Sequence, residues 1–156
     1  MPEIEGAGDA SGVRVGVVVA TFNGVVTAGL LQGALEALSA AGAVDPTVVR
    51  VAGSFEIPVV ARALAEGGCD CVVALGAVIK GETDHYEHVA TQAIAGLRQV
   101  AVETGVPVGL GVLTTRRVEH ARARSLPGPG NKGAEAALAA VSAANALRLL
   151  PRPSDG

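Results

Sequence analysis

The sequence predicts an α/β protein: a three-layer αβα sandwich in which a four-stranded parallel sheet carries helices on both faces. Three observations point there. Strand-like and helix-like segments alternate along the chain. The strand-like segments are near-continuous apolar runs, the pattern of strands buried on both faces, rather than the strict alternation of a half-wet sheet. The length, 156 residues, suits one domain with a sizeable core. The expected divisions are a flexible arm over 1–12, a single domain over 13–150 and a tail over 151–156.

The first strand is expected over 13–20, where VRVGVVVA is rich in β-branched residues. Leu30, Leu31, Ala34, Leu35 and Leu38 then recur at helical spacing, stopped by Gly42. A second strand over 47–52 leads through Gly53 and Ser54 into a helix over 58–66. A third strand over 71–79 precedes the strongest helical stripe in the chain, which runs from Tyr86 and Val89 through Ala93 and Leu97 to Ala101. A fourth strand over 107–113, a short helix over 116–124, a Gly/Pro turn and an Ala-rich helix over 132–150 complete the order. Such a chain uses right-handed crossovers, and its ligands bind outside the carboxyl ends of the strands. The loops expected to share one site are therefore 21–24, 53–56, 80–85 and 114–117.

Nearly half the residues are hydrophobic, yet the only aromatics are Phe22, Phe55 and Tyr86. A site for a flat heterocycle has just two Phe rings to recruit. The net charge of −3 argues against general nucleic-acid affinity. Within 116–132, however, five basic residues face a single acid, Glu119, a pattern that fits a small anionic ligand. Cys69 and Cys71 lack the C-x-x-C spacing and are expected on one side of a strand, as small buried residues in a reducing cytoplasm. The first dozen residues are acidic and Gly-rich, unlike a signal peptide, and no run has membrane length. A cytoplasmic protein with no membrane partner is expected.

Two motifs are decoys. Residues 76–83 (GAVIKGET) approach a phosphate-cradling P-loop, but Glu82 stands where that loop needs its Lys. Gly109 and Gly111 open like a dinucleotide fingerprint, but a strand surrounds them. His85 and His88 lie three apart on a helix without a matching set of further ligands, so no metal is expected.

The chemistry-bearing fragments fall in the expected loops. Thr83 is the expected N-cap of the long helix, whose first amides would attract a phosphate or carboxylate, with the His85 imidazole beside them as a base or proton shuttle. Lys132 follows a Gly-rich turn at a helix start, one short connection from Arg124; two cations and exposed amides can hold a phosphate monoester. Phe22-Asn23 offers a flat face and an amide. Gly53-Ser54-Phe55-Glu56 adds a second ring and a carboxylate.

In order, Phe22-Asn23, Gly53-Ser-Phe-Glu-Ile-Pro58, Gly76-Ala-Val-Ile-Lys-Gly81, Thr83-Asp-His-Tyr-Glu87, Gly111-Val-Leu-Thr-Thr115 and Gly130-Asn-Lys-Gly-Ala134 resemble the lumazine synthases over residues 13–150. The resemblance implies a flavodoxin-like sandwich and the condensation of 5-amino-6-ribitylaminouracil with 3,4-dihydroxy-2-butanone 4-phosphate, giving 6,7-dimethyl-8-ribityllumazine, phosphate and water without metal or organic cofactor. It implies that Phe22 stacks on the pyrimidine, that Val78 and Ile79 bind it through their backbone, and that Asn23, Ser54 and Glu56 contact the ribityl chain, with Phe55 alongside. It further implies proton transfer by His85, and a phosphate held by the Glu82 and Thr83 amides, Arg124 and Lys132.

Members form homopentamers with sites between subunits, some assembling twelve pentamers into an icosahedral capsid; association with riboflavin synthase is a further implication. In a capsid the N-terminal arm would pair with a neighbour's sheet. Three positions depart from the pattern: Leu110 stands where an aromatic commonly covers the substrate ring from a neighbouring subunit, Ala77 where Thr is common, and Thr21 where Arg is common. A non-catalytic flavin- or lumazine-binding protein, or a shell-forming one, is the alternative on the same fold, and retention of His85, Arg124 and Lys132 favours the enzyme. A flavodoxin-like electron carrier is disfavoured because 21–24 lacks a phosphate-cradling Ser/Thr/Gly series.

Overall fold

A computed structural model describes residues 2–151; the expected tail lies, apart from Pro151, outside the described residues. The order is β1 (Val15–Ala20), α1 (Gly24–Ala40), β2 (Thr47–Val51), a 3-10 turn (Ser54–Glu56), α2 (Ile57–Glu66), β3 (Cys71–Ile79), α3 (His85–Thr104), β4 (Val108–Thr115), α4 (Val118–Ala123) and α5 (Lys132–Leu149). All strand pairs are parallel in the order β2-β1-β3-β4. This is the predicted three-layer α/β arrangement.

Alternation along the central strands sorts the core into two layers. Val15, Val17 and Val19 of β1 and Cys71, Val73 and Leu75 of β3 face α1 and α5, packing on Leu30, Leu38, Ala137 and Val141. Val18 and Ala20, with Val72 and Ala74, face α2 and α3 through Ile57, Ala61 and Leu97. β1 and β3 are therefore apolar at every position because both their faces are covered. β2, at the sheet's edge, is partly exposed. Gly42, at φ 97°, ends α1 as the sequence suggests.

Several expectations shift. Cys69 and Cys71 do not share a face: Cys71 is buried in the α1/α5 layer, whereas Cys69 packs towards α2 and α3. The cause is that β3 begins only at Cys71, after Gly68 at φ 103°, so the two-residue period does not reach back to Cys69. Both thiols are free, and burial pushes the Cys71 thiol up to about 12. β4 extends to Thr115, so Thr114 and Thr115 are strand rather than loop.

Residues 6–12 have no helix or strand, but polar side chains one turn apart on α5 hold them. Ser142 Oγ donates to the Gly6 carbonyl (3.0 Å), Asn145 Nδ2 to those of Ala7 (2.8 Å) and Asp9 (2.7 Å), and Arg148 to that of Gly12 (3.1 Å). Arg148 also pairs with Asp70 at 2.9 Å. Among the described residues no helix is long and apolar enough to cross a membrane.

Candidate active site

Three of the four loops at the carboxyl edge converge. After β1 the chain turns under Ala52, whose carbonyl accepts the Phe22 N–H at 2.9 Å. Asn23 adopts the left-handed conformation (φ 61°), which Asn tolerates better than most residues, and its side chain donates to the Ala77 carbonyl on β3 at 2.8 Å. Gly53 is extended, and its N–H donates to Glu56 Oε1 at 3.0 Å, closing the 3-10 turn. A Cβ on Gly53 would lie 2.9 Å from Phe22 Cδ2; only glycine lets the Phe22 ring rest over this backbone. Gly76 does the same for Ser54, which is 5% exposed.

The register supplies an open backbone edge. β1 pairs with β3 only as far as Val19 opposite Leu75, whereas β3 runs on to Ile79 paired with β4 alone. On the β1 side the end of β3 therefore overhangs a cleft of about 390 Å³, walled by Phe22, Ser54, Phe55, Glu56, Val78, Ile79, Thr83 and His85. Phe22 is 62% exposed and Phe55 65%. Leaving two such rings in water forgoes roughly 1.5–3 kcal/mol each, which points to a surface kept apolar for a ligand or partner.

His85 opens α3, and its N–H donates to Thr83 Oγ1 at 3.4 Å. Thr83 was the expected N-cap. The helix starts at His85, with Asp84 just before it and no side-chain bond from Asp84, while the Thr83 hydroxyl accepts from the amide two residues on, the bond of a cap one residue earlier. The Tyr86 hydroxyl donates to Glu87 Oε1 at 3.2 Å; desolvation first, then that carboxylate, push the phenol's pKa up.

The basic segment forms a second cleft of about 330 Å³ at the end of β4, lined by Thr114, Thr115, Arg116, His120, Arg124 and Lys132 beside Val112 and Leu113. Among the described residues no carboxylate lines it. Arg124 Nη1 donates to the His120 carbonyl at 2.9 Å, and the Lys132 N–H to the Arg124 carbonyl at 2.8 Å. Lys132 Nζ also meets Glu135 at 3.0 Å, an exposed pair that holds it weakly.

The single four-loop site therefore divides. Phe22, Asn23, Ser54, Phe55, Glu56, Val78, Ile79, Thr83 and His85 share the first cleft; Arg124 and Lys132 share the second; Glu82 and Leu110, both exposed, line neither. The two faces of the sheet explain the division. The ends of β3 and β4 are paired neighbours, but α4 and α5 pack in the α1 layer, whereas the 3-10 turn, α2 and α3 lie on the opposite face.

Sequence reasoning missed Tyr86 and Val89 in the first cleft, because their helical spacing assigned them to the core; both are partly buried there and also line the cleft. It missed His120 in the second, though its place amid the basic run was a usable signal. Among the described residues no group of three or more potential metal ligands lies together.

The family model for 6,7-dimethyl-8-ribityllumazine synthase matches residues 12–148. A curated relative, a 6,7-dimethyl-8-ribityllumazine synthase of Kineococcus radiotolerans, is 51% identical over 149 residues, covering 94% of this chain and 91% of that protein.

Proposed function

The chain belongs to the 6,7-dimethyl-8-ribityllumazine synthase family, and from that premise we propose that its two clefts are complementary halves of an active site completed between copies of the chain. The activity is that of the family, a transferase of riboflavin biosynthesis that condenses 5-amino-6-ribitylaminouracil with 3,4-dihydroxy-2-butanone 4-phosphate.

In this reading the first cleft takes the uracil. Phe22 covers the pyrimidine ring, the open backbone edge at Val78 and Ile79 reads its polar rim, and Asn23, Ser54 and Glu56 contact the ribityl chain beside Phe55. The butanone phosphate lies towards the start of α3, where the Glu82 and Thr83 amides favour an anion. Arg124 and Lys132 of an adjacent copy complete the grip, and Leu110 of that copy caps the ring.

The amine attacks the ketone and water leaves as the imine forms; phosphate is then eliminated and the ring closes with loss of water. These steps need orientation and proton transfer rather than a strong nucleophile. His85 moves the protons, and the phosphate is the handle that orients the carbonyl.

The observation that carries this reading is the separation itself. Among the described residues the cleft that holds His85 and the cleft that holds Arg124 and Lys132 share no lining residue, and the proposed reaction requires both. A closed homopentamer, alone or as twelve in a capsid, fits that requirement; a cytoplasmic setting and contact with riboflavin synthase complete the proposal. The test mixes purified protein with both substrates, follows lumazine by absorbance and fluorescence, and sizes the assembly in parallel. Expected are a rate well above the spontaneous one and an oligomeric particle. A monomer with full activity would refute the shared site; an oligomer that binds the uracil without turnover would mark a binding protein.

A further inference from the structure

We propose that Asn131 is a positioning residue that sets Arg124 and Lys132 for anion binding, an inference that rests on the reading of those two cations as the phosphate grip. Asn131 is 3% exposed and sits where three elements meet. Its Oδ1 accepts the Ala134 N–H at 3.0 Å, capping α5. Its Nδ2 lies 3.1 Å from the Gly29 carbonyl on α1, 3.1 Å from that of Ser125 and 3.0 Å from that of Leu126. One side chain thus ties the turn after α4 to the flank of α1 and to the start of α5.

α1 is shaped for this contact. A Cβ on Gly33 would strike the Asn131 side chain, and one on Gly29 would strike the Ser125 carbonyl. Between the tied ends, residues 126–130 are all exposed, and Gly128 and Gly130 sit at φ 104° and 96°. The Lys132 N–H bonds the Arg124 carbonyl at 2.8 Å, so the two cations share one short backbone bridge whose anchor is the neighbouring amide.

Arg and Lys lose much rotamer freedom when they grip an anion. Fixing their backbones beforehand lowers that cost, and an error of an ångström in such placement is felt in binding. A cap alone would require only the Oδ1 contact. The three carbonyls around Nδ2 go beyond capping, and each belongs to α1 or to the turn.

Asn131→Ser separates the two roles. A serine hydroxyl still caps α5 but releases the carbonyls. Gly29→Ala pushes the same turn off α1 with Asn131 intact, and carries the test if Asn131→Ser does not fold. Arg124→Ala is the reference. Michaelis constants for both substrates are measured on the assembled enzyme, with melting temperature and particle size.

Expected is a rise in KM for the butanone phosphate of about 5–20-fold, the effect of one or two hydrogen bonds, with KM for the ribitylaminouracil within about twofold. Folded variants whose two KM values stay unchanged or move together, while Arg124→Ala raises only that for the phosphate, overturn the positioning role and leave the phosphate grip standing. Loss of fold in both variants assigns Asn131 to folding and overturns it too. No effect of Arg124→Ala on either KM removes the underlying reading and the inference with it.

Discussion

The two clefts are built in opposite ways. The first is made largely by main chain: an overhanging strand end, a 3-10 turn closed by Glu56, and a left-handed Asn23 pinned to β3. Its apolar walls rest on a fully packed layer. The second is made by side chains at the end of β4, on and just after the short helix α4, and on the first residue of α5, with an exposed turn between the last two. A flat, largely neutral ring needs fixed surfaces and backbone donors. An anion needs charge at the right place, which long side chains provide once their bases are held. On the proposed reading the half that reads shape is held by main chain, and the half that binds charge is held through Asn131.

The largest expected effect falls on proton transfer. His85→Ala should lower kcat by about 10²–10⁴-fold, the usual contribution of a positioned general base, with both KM values little changed and turnover measurable above background. Wild-type turnover in the variant would remove His85 from the mechanism. Next is charge. Arg124→Ala should raise KM for the butanone phosphate by about 10–100-fold, as expected for a lost charge-assisted hydrogen bond, and leave the uracil's KM near its starting value. Equal changes for both substrates would erase the division of labour between the clefts.

Mixing the two variants probes whether one site draws a cleft from each of two chains. His85→Ala and Arg124→Ala chains, co-expressed and assembled together, bring intact halves into contact at roughly a quarter of the boundaries of a ring. With the butanone phosphate kept below its wild-type KM, activity should then rise to about a quarter of wild type, above the average of the two variants alone. Mixed rings no more active than the average of the parents would place both clefts' functions within one chain.

The strands and the apolar half of the site were legible for a physical reason. A strand buried on both faces must be apolar throughout, and a loop at its carboxyl end has only its own residues to offer, so Phe22, Ser54 and Glu56 could be assigned from motif and position. Element ends were harder: whether Thr83 or Asp84 caps α3 is a difference of one residue at a helix boundary. Layer assignment was not legible at all. Nothing local in 116–132 says that α4 packs with α1 rather than α3, so the basic loop was expected beside His85. The latch at Asn131 was hidden likewise, since its partner Gly29 lies 102 residues away in the chain.

The smallest expected effect concerns Leu110, which lines neither cleft and is 51% exposed on β4. About half of it stays uncovered among the described residues, and the shared-site reading has it reach a neighbour's substrate ring. Leu and Phe are both apolar, so Leu110→Phe changes little except the chance of stacking on a flat ring, an increment of about 0.5–1.5 kcal/mol. The exposed position leaves room for the larger side chain, and stability should hold. If Leu110 caps the uracil, KM for the ribitylaminouracil should fall by about 2–10-fold, the same increment as a ratio, while KM for the butanone phosphate stays put. A fall in neither constant, with the oligomer intact, would mean that this stretch of β4 packs against a neighbour without touching substrate. The boundary between the two halves would then run elsewhere along the sheet edge.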